Sequence, residues 1–267
     1  MEPLLRVSNL SIAYKVSDNL KEAVKGVNFY VNDGETLAIV GESGSGKSTI
    51  ALSIIGALPE NAVVVNGSIF FNGVELLKLT PKEFRVIKGK DISIIFQDPL
   101  AHLNPLRKVK HLFKDLFNDH GLEFNAEKII NLFNKLKIPD PHRVLESYPF
   151  QLSGGMAQRV FIALAIAMNP RLLIADEPTS ALDLTIQSQM VKLLREVKKE
   201  FGVSMIIITH DMGVAAAVAD RILVMHDGKV VEEGPPEEVL LNPKSHYTKN
   251  LVNSSRKLYE AVPEWLP

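Results

Sequence analysis

The fold of this chain is decided by Gly41-Glu42-Ser43-Gly44-Ser45-Gly46-Lys47-Ser48-Thr49. The apolar run at residues 36–40 precedes this stretch and is rich in β-branched residues, so it predicts a buried strand. Residues 50–58 follow with a composition typical of a helix. A strand, a glycine-rich loop and a helix in this order predict a loop that wraps phosphate groups.

Each residue type in this loop has a chemical task in phosphate binding. We expect Gly41, Gly44 and Gly46 to provide the positive φ angles and the close backbone approach that a wrapped triphosphate needs. The helix after the loop points its N-terminal dipole at the anion. Lys47 is predicted to reach the β and γ phosphates, and Ser48 to place its hydroxyl on Mg²⁺. A Gly/Ser-rich surface loop is the alternative, and the flanking strand and helix disfavour it.

The bulk composition limits the classes of function. The chain has 267 residues, enough for one or two domains with a large core. Its hydrophobic content of 46% and charged content of 23% are those of an ordinary globular protein. The net charge of −1 gives no electrostatic reason to expect nucleic acid as a partner. The absence of cysteine excludes disulfides and thiolate metal sites, and it fits a reducing cytoplasm.

The apolar segments of the chain are too short for a membrane span. Residues 1–6 lack a basic region followed by a long apolar one, so no signal peptide is expected. The longest apolar stretch, at residues 160–168, is about half as long as a membrane helix must be. Any role at a membrane therefore requires a partner protein.

The N-terminal part of the chain has the pattern of an antiparallel sheet. Short alternating runs occupy residues 5–7, 10–14, 24–31, 67–71 and 74–77. Asn32-Asp33-Gly34 is a turn signal, and Asn72-Gly73 between two of the runs predicts a hairpin. We expect this sheet to lie beside the phosphate loop.

A helical insertion is predicted after the strand at residues 91–96, which ends at Gln97. Helical periodicity extends from about residue 108 to residue 137. Prolines then interrupt the chain at positions 139, 141 and 149. We interpret residues 98–168 as a helical insertion in an α/β domain.

An alternation of strands and helices resumes after the insertion. Strands are predicted at residues 171–175, 204–208 and 221–225, with helices at 184–201 and 212–219. This alternation predicts an α/β fold with a P-loop core and a parallel sheet, an N-terminal antiparallel β subdomain and an inserted α-helical subdomain. Ligands bind such sheets at the carboxyl ends of the strands, where Gln97, Asp176-Glu177 and His210 stand.

Asp176 and Glu177 form a pair of carboxylates that suits phosphate chemistry. In a P-loop enzyme we expect Asp176 to hold Mg²⁺ directly or through water. Glu177 is expected to orient or deprotonate the attacking water. A solvated strand end is the alternative, and the phosphate loop upstream favours the catalytic interpretation.

A second anion site is indicated by the sequence Leu152-Ser153-Gly154-Gly155. Ser153, Gly154 and Gly155 at a helix N-terminus form a backbone nest that suits a phosphate. The alternative is a helix N-cap followed by a flexible hinge. Because the two phosphate nests are about a hundred residues apart, we expect the second to serve the nucleotide of another molecule.

Taken together, the motifs resemble those of one protein family. They are, in chain order, residues 41–48, Gln97, residues 152–155, residues 172–177, Ser180-Ala181-Leu182-Asp183 and His210. In this order they resemble the nucleotide-binding subunit of ATP-binding cassette transporters, over residues 4 to about 240. The resemblance implies that two subunits close head to tail. ATP then lies between the phosphate loop of one subunit and the Ser-Gly-Gly signature of the other.

The resemblance also implies a role for each matching residue. Ser153 and Gly155 would meet the γ-phosphate across the dimer, and His210 would contact it from its own strand end. Gln97 would sense Mg²⁺ and the attacking water and link the site to a membrane partner. Asp183 would lie at the dimer seam. A buried core histidine is the alternative for His210.

Tyr14 lies 27 residues before Gly41, where members of the family often have an aromatic residue that stacks on adenine. Simple packing of a tyrosine in a strand is the alternative. ATP and Mg²⁺ are therefore the ligands that the resemblance implies.

The resemblance divides the chain into four segments. Residues 1–97 are predicted to form the nucleotide-binding core with the antiparallel subdomain and the phosphate loop. Residues 98–168 are predicted to form the helical subdomain that carries the signature. Residues 169–240 would complete the α/β core, and residues 241–267 would form a C-terminal extension.

Met156 departs from the family pattern, which commonly has Gln after Ser-Gly-Gly. A thioether cannot reproduce the hydrogen bonds of an amide. Met at this position, together with Gln97-Asp98-Pro99, Leu103-Asn104-Pro105 and Tyr148-Pro149, nonetheless resembles one of the two ATPase subunits of oligopeptide and dipeptide importers. The tail at residues 242–249 resembles the carboxyl-terminal segment of that group. Some members of that group hold an iron–sulfur cluster on cysteines, and this chain has none.

The sequence therefore predicts a peripheral ATPase subunit on the cytoplasmic face of the cell membrane. It would energise uptake of oligopeptides or dipeptides through membrane permease subunits, with an extracytoplasmic substrate-binding protein acting indirectly and no nucleic acid involved. Met156 favours a sister ATPase subunit as the dimer partner, and a second copy of the chain is the alternative. The motifs also allow a cargo of nickel or oligosaccharide, a non-transport cassette ATPase or a regulatory subunit. Phe113, Leu116 and Phe117 either line the permease dock or form subdomain core.

Overall fold

The computed structural model describes residues 2–96, 103–179 and 184–259. The chain divides into two compact units. The first combines the residues up to Phe84 with those from Ser204 onward, and the second runs from Arg85 to Val203. The boundaries of the four segments predicted from the sequence stay a prediction.

Strands and helices alternate along the described residues. The strands are β1 (Leu5–Val16), β2 (Asn19–Val31), β3 (Thr36–Val40), β4 (Ala62–Phe71), β5 (Val74–Glu75), β6 (Ile92–Ile95), β7 (Leu172–Asp176), β8 (Ser204–Thr209), β9 (Arg221–His226) and β10 (Lys229–Gly234). The helices are α1 (Lys47–Ile54), α2 (Pro81–Ile87), α3 (Val109–Asp119), α4 (Ala126–Lys135), α5 (Pro141–Glu146), α6 (Gly154–Ile166), α7 (Leu184–Phe201), α8 (Met212–Val218), α9 (Pro236–Leu241) and α10 (His246–Tyr259). No helix within the described ranges has both the length and the hydrophobicity of a membrane span.

The antiparallel sheet of the first unit has the strand order β2-β1-β4-β5. Leu5 of β1 pairs with Val31 of β2 on one side and with Phe71 of β4 on the other. Asn72 and Gly73 take left-handed φ angles of 48° and 81°, which is the backbone that a tight hairpin turn requires. The predicted antiparallel subdomain and its hairpin are therefore confirmed.

Two details of this sheet differ from the sequence prediction. Residues 5–7 and 10–14 belong to one strand, because Asn9 takes a left-handed φ of 47° where the register shifts, and this bulge interrupts the alternation. β5 ends at Glu75, because the chain turns into a 3-10 helix at Leu76 and buries that side chain.

A parallel set of strands positions the phosphate loop in the first unit. β3 pairs in parallel with β8 and β9, with Val40 opposite Thr209 and Val224. Every residue of β3 is buried, as expected of a strand covered on both faces. β10 returns antiparallel to β9 after a turn at Asp227 and Gly228, whose φ angles are 50° and 78°. The predicted parallel strands are confirmed.

The C-terminal helices α9 and α10 pack on the core of the first unit. Val239 of α9 and Val252 of α10 belong to one buried cluster with residues of β3, α8 and β9. Lys244 and Ser245 lie just before α10, and their N–H groups donate to the carboxylate of Glu232 in β10 at 2.8 and 2.9 Å. Burial alone would raise the pKa of Glu232, but these hydrogen bonds and the charge of Lys244 hold that pKa below its usual value.

Arg221 connects β9 to two other parts of the first unit. Its Nε donates to Glu35 Oε1 at 2.7 Å, and the two side chains are 14% and 11% exposed. The guanidinium also pairs with Glu233, donates to the carbonyl oxygen of Tyr30 at 2.5 Å and lies 4.0 Å from the centroid of the Tyr30 ring. Burial acts to lower the pKa of Arg221, but Glu35 and Glu233 hold that pKa above its ordinary value. The guanidinium therefore stays charged.

The second unit combines a pair of parallel strands with a group of helices. β6 and β7 pair in parallel, with Ile92 opposite Leu172 and Ile95 opposite Ala175. Helices α3 to α6 lie between these strands in the sequence, and α7 follows β7. The predicted inserted helical subdomain is therefore confirmed.

The helical periodicity at residues 108–137 is divided between two helices. α3 ends at Asp119, and Gly121 then takes a left-handed φ of 66°. Asn125 caps α4 by accepting a hydrogen bond from the N–H of Lys128. The apolar period continues across this turn because both helices bury one face, so the sequence pattern did not indicate the break.

The apolar stripe of α3 packs inside the second unit. Phe113 is fully buried and meets the ring of Phe133 in a T-shaped contact with centroids 5.6 Å apart. Phe117 is buried and Leu116 is half-buried. These positions support the interpretation of the stripe as subdomain core rather than as a permease dock.

Candidate nucleotide-binding site

The phosphate loop lies between β3 and α1, as the sequence predicts. Gly46 is the N-cap of α1 with a left-handed φ of 99°, and Gly44 has a φ of 82°. A residue with a Cβ is strained in this conformation, so these two glycines have the expected backbone role. α1 ends at Ile54 rather than at the predicted residue 58, because Gly56 takes a φ of 60° and terminates the helix.

Gly41 is required for a different reason. The prediction of a positive φ at Gly41 is wrong, because its φ lies outside the left-handed region. A Cβ at this position would instead lie 2.2 Å from the carbonyl oxygen of Met225 and 2.8 Å from Ser45 Oγ. Gly41 is therefore required by the close packing of β9, and its expected approach to a triphosphate stays a prediction.

The turn between β9 and β10 also supports the loop. The N–H of Gly228 donates to the carbonyl oxygen of Ser45 at 3.2 Å, and the Gly228 carbonyl accepts from the N–H of Lys25 at 2.8 Å. A Cβ at Gly46 or Gly228 would lie 2.4 or 2.8 Å from the carbonyl oxygen of Ala23. The backbone of β2 and of this turn thus encloses the phosphate loop. The sequence indicated the turn but not its contact with the loop.

Lys47 holds its ammonium group against the backbone of the loop. The residue is 5% exposed. Its Nζ donates to the carbonyl oxygens of Gly41 at 2.7 Å and Glu42 at 2.8 Å. The exposed residues of the loop include Ser43, Gly44 and Ser48. A fixed positive charge beside a helix N-terminus can bind an anion with little reorganisation.

Two further predicted residues of the first unit lie near this loop. Tyr14 is half-buried in β1, and its hydroxyl lies 3.0 Å from Thr49 Oγ1 in α1. His210 follows β8, and the pairing of Val40 with Thr209 places it at the same sheet edge as the loop. His210 is exposed, so the alternative of a buried core histidine is wrong. Contacts of Tyr14 with adenine and of His210 with the γ-phosphate stay predictions.

Asp176 and Glu177 stand at the carboxyl end of β7 in the second unit, and both are half-buried. Glu177 has a left-handed φ of 51°. For a residue with a Cβ this conformation costs about 1–2 kcal/mol. Turn and bulge residues such as Asn72 and Asn9 take the same conformation, so the catalytic role of Glu177 stays a prediction. The sequence pattern contained no sign of this conformation.

Ser153, Gly154 and Gly155 form the exposed start of α6. Ser153 Oγ accepts a hydrogen bond from the N–H of Met156 at 3.4 Å, so Ser153 acts as an N-cap. A Cβ at either glycine would meet no atom within 4 Å. The packing of the unit therefore does not require glycine at these positions. The prediction that they serve a nucleotide of another molecule stays a prediction.

Gln97 and Asp183 lie outside the described residues, as does the rest of the Ser180-Ala181-Leu182-Asp183 motif. Among the described side chains, no three or more His, Cys, Asp or Glu residues are grouped as metal ligands. Mg²⁺ does not need such a group, because it usually keeps several waters and combines one or two protein oxygens with substrate phosphates. The Ser48 hydroxyl of the first unit and the Asp176 carboxylate of the second are each an oxygen ligand of this type, and their joint binding of Mg²⁺ stays a prediction.

The strand, the phosphate loop and the helix define a P-loop nucleotide-binding protein. The family model described as ABC transporter matches residues 24–180. The chain is 44% identical to the oligopeptide transport ATP-binding protein OppD of Bacillus subtilis, over 98% of this chain and 75% of that protein. It is 45% identical to the dipeptide transport ATP-binding protein DppD of the same organism, over 97% of this chain and 78% of that protein.

Solved structures with the same fold are cassettes of this kind. CbiO1 of Clostridium perfringens, part of the ABC transporter complex cbiONQ, has a TM-score of 0.77 at 31% identity, covering 91% of this chain and 92% of that one. The ATP-binding cassette MJ0796, dimeric in a post-hydrolysis state with ADP and Pi, has a TM-score of 0.74 at 29% identity, covering 87% and 98%. The chain belongs to the ABC transporter family and is an ATP-hydrolysing cassette. The resemblance inferred from the motifs is confirmed.

Proposed function

We propose that this cassette powers import of oligopeptides or dipeptides through a membrane permease. The observation that carries the proposal is the 44% identity, over nearly the whole chain, to a protein named for oligopeptide transport. The chain would dock on the cytoplasmic face of the permease. An extracytoplasmic substrate-binding protein would deliver the peptide and act on this subunit only through the permease.

The phosphate loop and the strand ends divide the chemistry of ATP hydrolysis between them. The Lys47 ammonium and the amides of the loop neutralise the transferring phosphoryl group, while Glu177 directs a water in line with the leaving ADP. The bond between water oxygen and γ-phosphorus forms as the bond to the ADP oxygen breaks, and His210 contacts the γ-phosphate. The residues proposed to hold Mg²⁺ are Ser48, Gln97 and Asp176. Mg²⁺, when bound, supplies further positive charge at the phosphates.

A second cassette completes each ATP site in this proposal. Ser153, Gly154 and Gly155 are exposed and have open space around both glycines, which suits contact with a γ-phosphate held by another subunit. Asp183 would lie at the seam between the two subunits. Met156 favours a sister cassette as the partner, because a sister that keeps Gln at that position restores the amide to one of the two sites. ATP binding would close the pair and hydrolysis would reopen it.

Uptake by cells of the source organism tests the proposal. Lys47→Ala is introduced into this chain, and the initial rates of uptake of a labelled hexapeptide, a labelled dipeptide, nickel and a labelled oligosaccharide are measured. We expect peptide uptake through this system to be lost, because the charge that neutralises the phosphates is gone. Lys21→Ala is the matched control, since Lys21 is an exposed residue of β2.

The pattern of loss separates the possible cargoes. Loss of nickel or oligosaccharide uptake with peptide uptake unchanged would contradict peptide cargo while leaving a transport role. Unchanged uptake of every compound in cells that produce the folded variant would contradict a role in import and would favour a non-transport cassette.

A further inference from the structure

We propose that Tyr247, on the C-terminal helix α10, is a positioning residue for the phosphate loop. The inference rests on the proposed function, because it gives ATP binding a contribution from a residue outside the loop. Tyr247 lies 205 positions along the chain from Glu42, the loop residue that it contacts. The C-terminal extension would thereby take part in the nucleotide site.

The contact is a hydrogen bond to the loop backbone. The N–H of Glu42 donates to the Tyr247 hydroxyl oxygen at 2.9 Å. This N–H belongs to the same peptide group as the carbonyl of Gly41, which accepts from Lys47 Nζ at 2.7 Å. Because a peptide group is planar, holding its N–H also holds its C=O. Tyr247 therefore fixes the carbonyl that orients the Lys47 ammonium.

The Tyr247 ring is itself held in place. It stacks on the ring of His226, with centroids 4.0 Å apart and an interplanar angle of 26°. His226 ends β9 and directly follows Met225, whose carbonyl abuts Gly41. Burial raises the pKa of the Tyr247 phenol, the hydrogen bond from the Glu42 N–H acts to lower that pKa, and the nearby Glu42 carboxylate acts to raise it. The hydroxyl is therefore neutral at physiological pH and offers its oxygen as an acceptor.

The helix that carries Tyr247 is anchored on both sides of this residue. Before it, Glu232 accepts hydrogen bonds from the N–H groups of Lys244 and Ser245. After it, Val252 is buried in the core of the first unit. The peptide group between Gly41 and Glu42 thus lies between the fixed Tyr247 hydroxyl and the Lys47 ammonium. Hydrogen bonds that are linked in series in this way strengthen one another. Removal of the hydroxyl is expected to loosen the hold on Lys47.

The substitution Tyr247→Phe tests this role in the full chain, because it deletes the hydroxyl and keeps the ring against His226. The dissociation constant for Mg-ATP is measured by titration calorimetry, and the melting temperature is measured without nucleotide. We expect the dissociation constant to rise about three- to tenfold, the range that one hydrogen bond supports. The melting temperature should stay within about 2 °C of the wild-type value. The steady-state KM for ATP should rise by a similar factor.

Tyr30→Phe is the matched control. Tyr30 is 44% exposed and contacts the protein through its ring, which lies beneath the guanidinium of Arg221. Its substitution removes the same atom from the first unit without touching the loop. We expect an unchanged dissociation constant for Mg-ATP.

An unchanged dissociation constant in Tyr247→Phe would overturn the inference. A melting temperature lowered by more than about 5 °C would also overturn it, because a general loosening of α10 would then explain weaker binding. If the folded wild-type chain fails to bind Mg-ATP, the proposed function fails and the positioning role falls with it. If the wild type binds and Tyr247→Phe binds equally well, only the positioning role fails.

Discussion

At Gly41 the carbonyl oxygen of Met225 occupies the space that a side chain would need. A Cβ added to Gly41 would lie only 2.2 Å from that oxygen. The neighbouring glycines of the loop serve a different purpose, since Gly44 and Gly46 supply left-handed backbone. The ammonium of Lys47 depends on the position of the backbone at Gly41, because its acceptors are the carbonyl oxygens of Gly41 and Glu42. Steric room and backbone freedom are thus separate requirements within one motif.

We predict that Gly41→Ala destabilises the chain by about 2–3 kcal/mol, because the added methyl group forces β3 and β9 apart. The melting temperature should then fall by about 5–10 °C. Gly34→Ala is the control, since Gly34 has a φ of 75° but no atom within 4 Å of its added Cβ. That control should cost only the local strain of about 1–2 kcal/mol. A smaller effect at position 41 than at position 34 would contradict the steric argument.

At the scale of an element, the start of α6 has residues that do not favour the stability of the helix. Gly154 and Gly155 occupy the first turn of this helix, where a methyl group would meet no atom within 4 Å. Alanine is a better helix former than glycine, so the chain gives up stability here. That loss is expected where a helix end must admit a ligand or partner.

We predict that Gly155→Ala raises the stability of the isolated chain by up to about 1 kcal/mol and lowers ATP hydrolysis by the assembled transporter. The fall should be at least about fivefold, because the methyl group stands where the phosphate of the partner site is proposed to bind. Melting temperature and steady-state hydrolysis are the two measurements. Greater stability with undiminished hydrolysis would refute the assignment of this residue to a partner site.

The anchor of α10 predicts a dependence on pH. The folded-state pKa of Glu232 is lowered, so its contribution is present above the unfolded value of about 4.3 and is lost as pH falls through the lowered folded value. We predict that Glu232→Gln costs about 1–2 kcal/mol near neutral pH. The gap in melting temperature from the wild type should shrink below about pH 4. Glu60→Gln is the control, because Glu60 is exposed, and it should change the melting temperature little at any pH. A melting-temperature gap between Glu232→Gln and the wild type that widens in acid would contradict this prediction.

Much of the fold and of the candidate site could be predicted from local patterns in the sequence. The phosphate loop was predictable because its glycines and lysine are adjacent in the chain, and the hairpin at Asn72-Gly73 because its backbone angles demand those residues. The break between α3 and α4 was missed, since amphipathic periodicity continues across it. The bond between Glu42 and Tyr247 joins residues 205 positions apart. No pattern along a single sequence encodes such a contact.

At the scale of the whole molecule, the candidate catalytic and nucleotide-binding residues belong to two separate compact units. The phosphate loop, Tyr14 and His210 are in the first unit. Asp176, Glu177 and the Ser-Gly-Gly start of α6 are in the second. The comparisons place this chain among ATP-hydrolysing cassettes. We therefore propose a division of labour between the two units: the loop binds ATP through Lys47, whereas Glu177 acts only in hydrolysis.

This division of labour is tested by measuring the dissociation constant for Mg-ATP. The measurement compares the wild-type chain with Lys47→Ala and Glu177→Gln. We predict that the wild type binds and that Glu177→Gln binds at least as tightly. Lys47→Ala should bind about 10- to 100-fold more weakly, because a charged hydrogen bond to the phosphates is lost. Equal affinity of the wild type and Lys47→Ala would contradict the account. Loss of binding in a folded Glu177→Gln chain would contradict it as well.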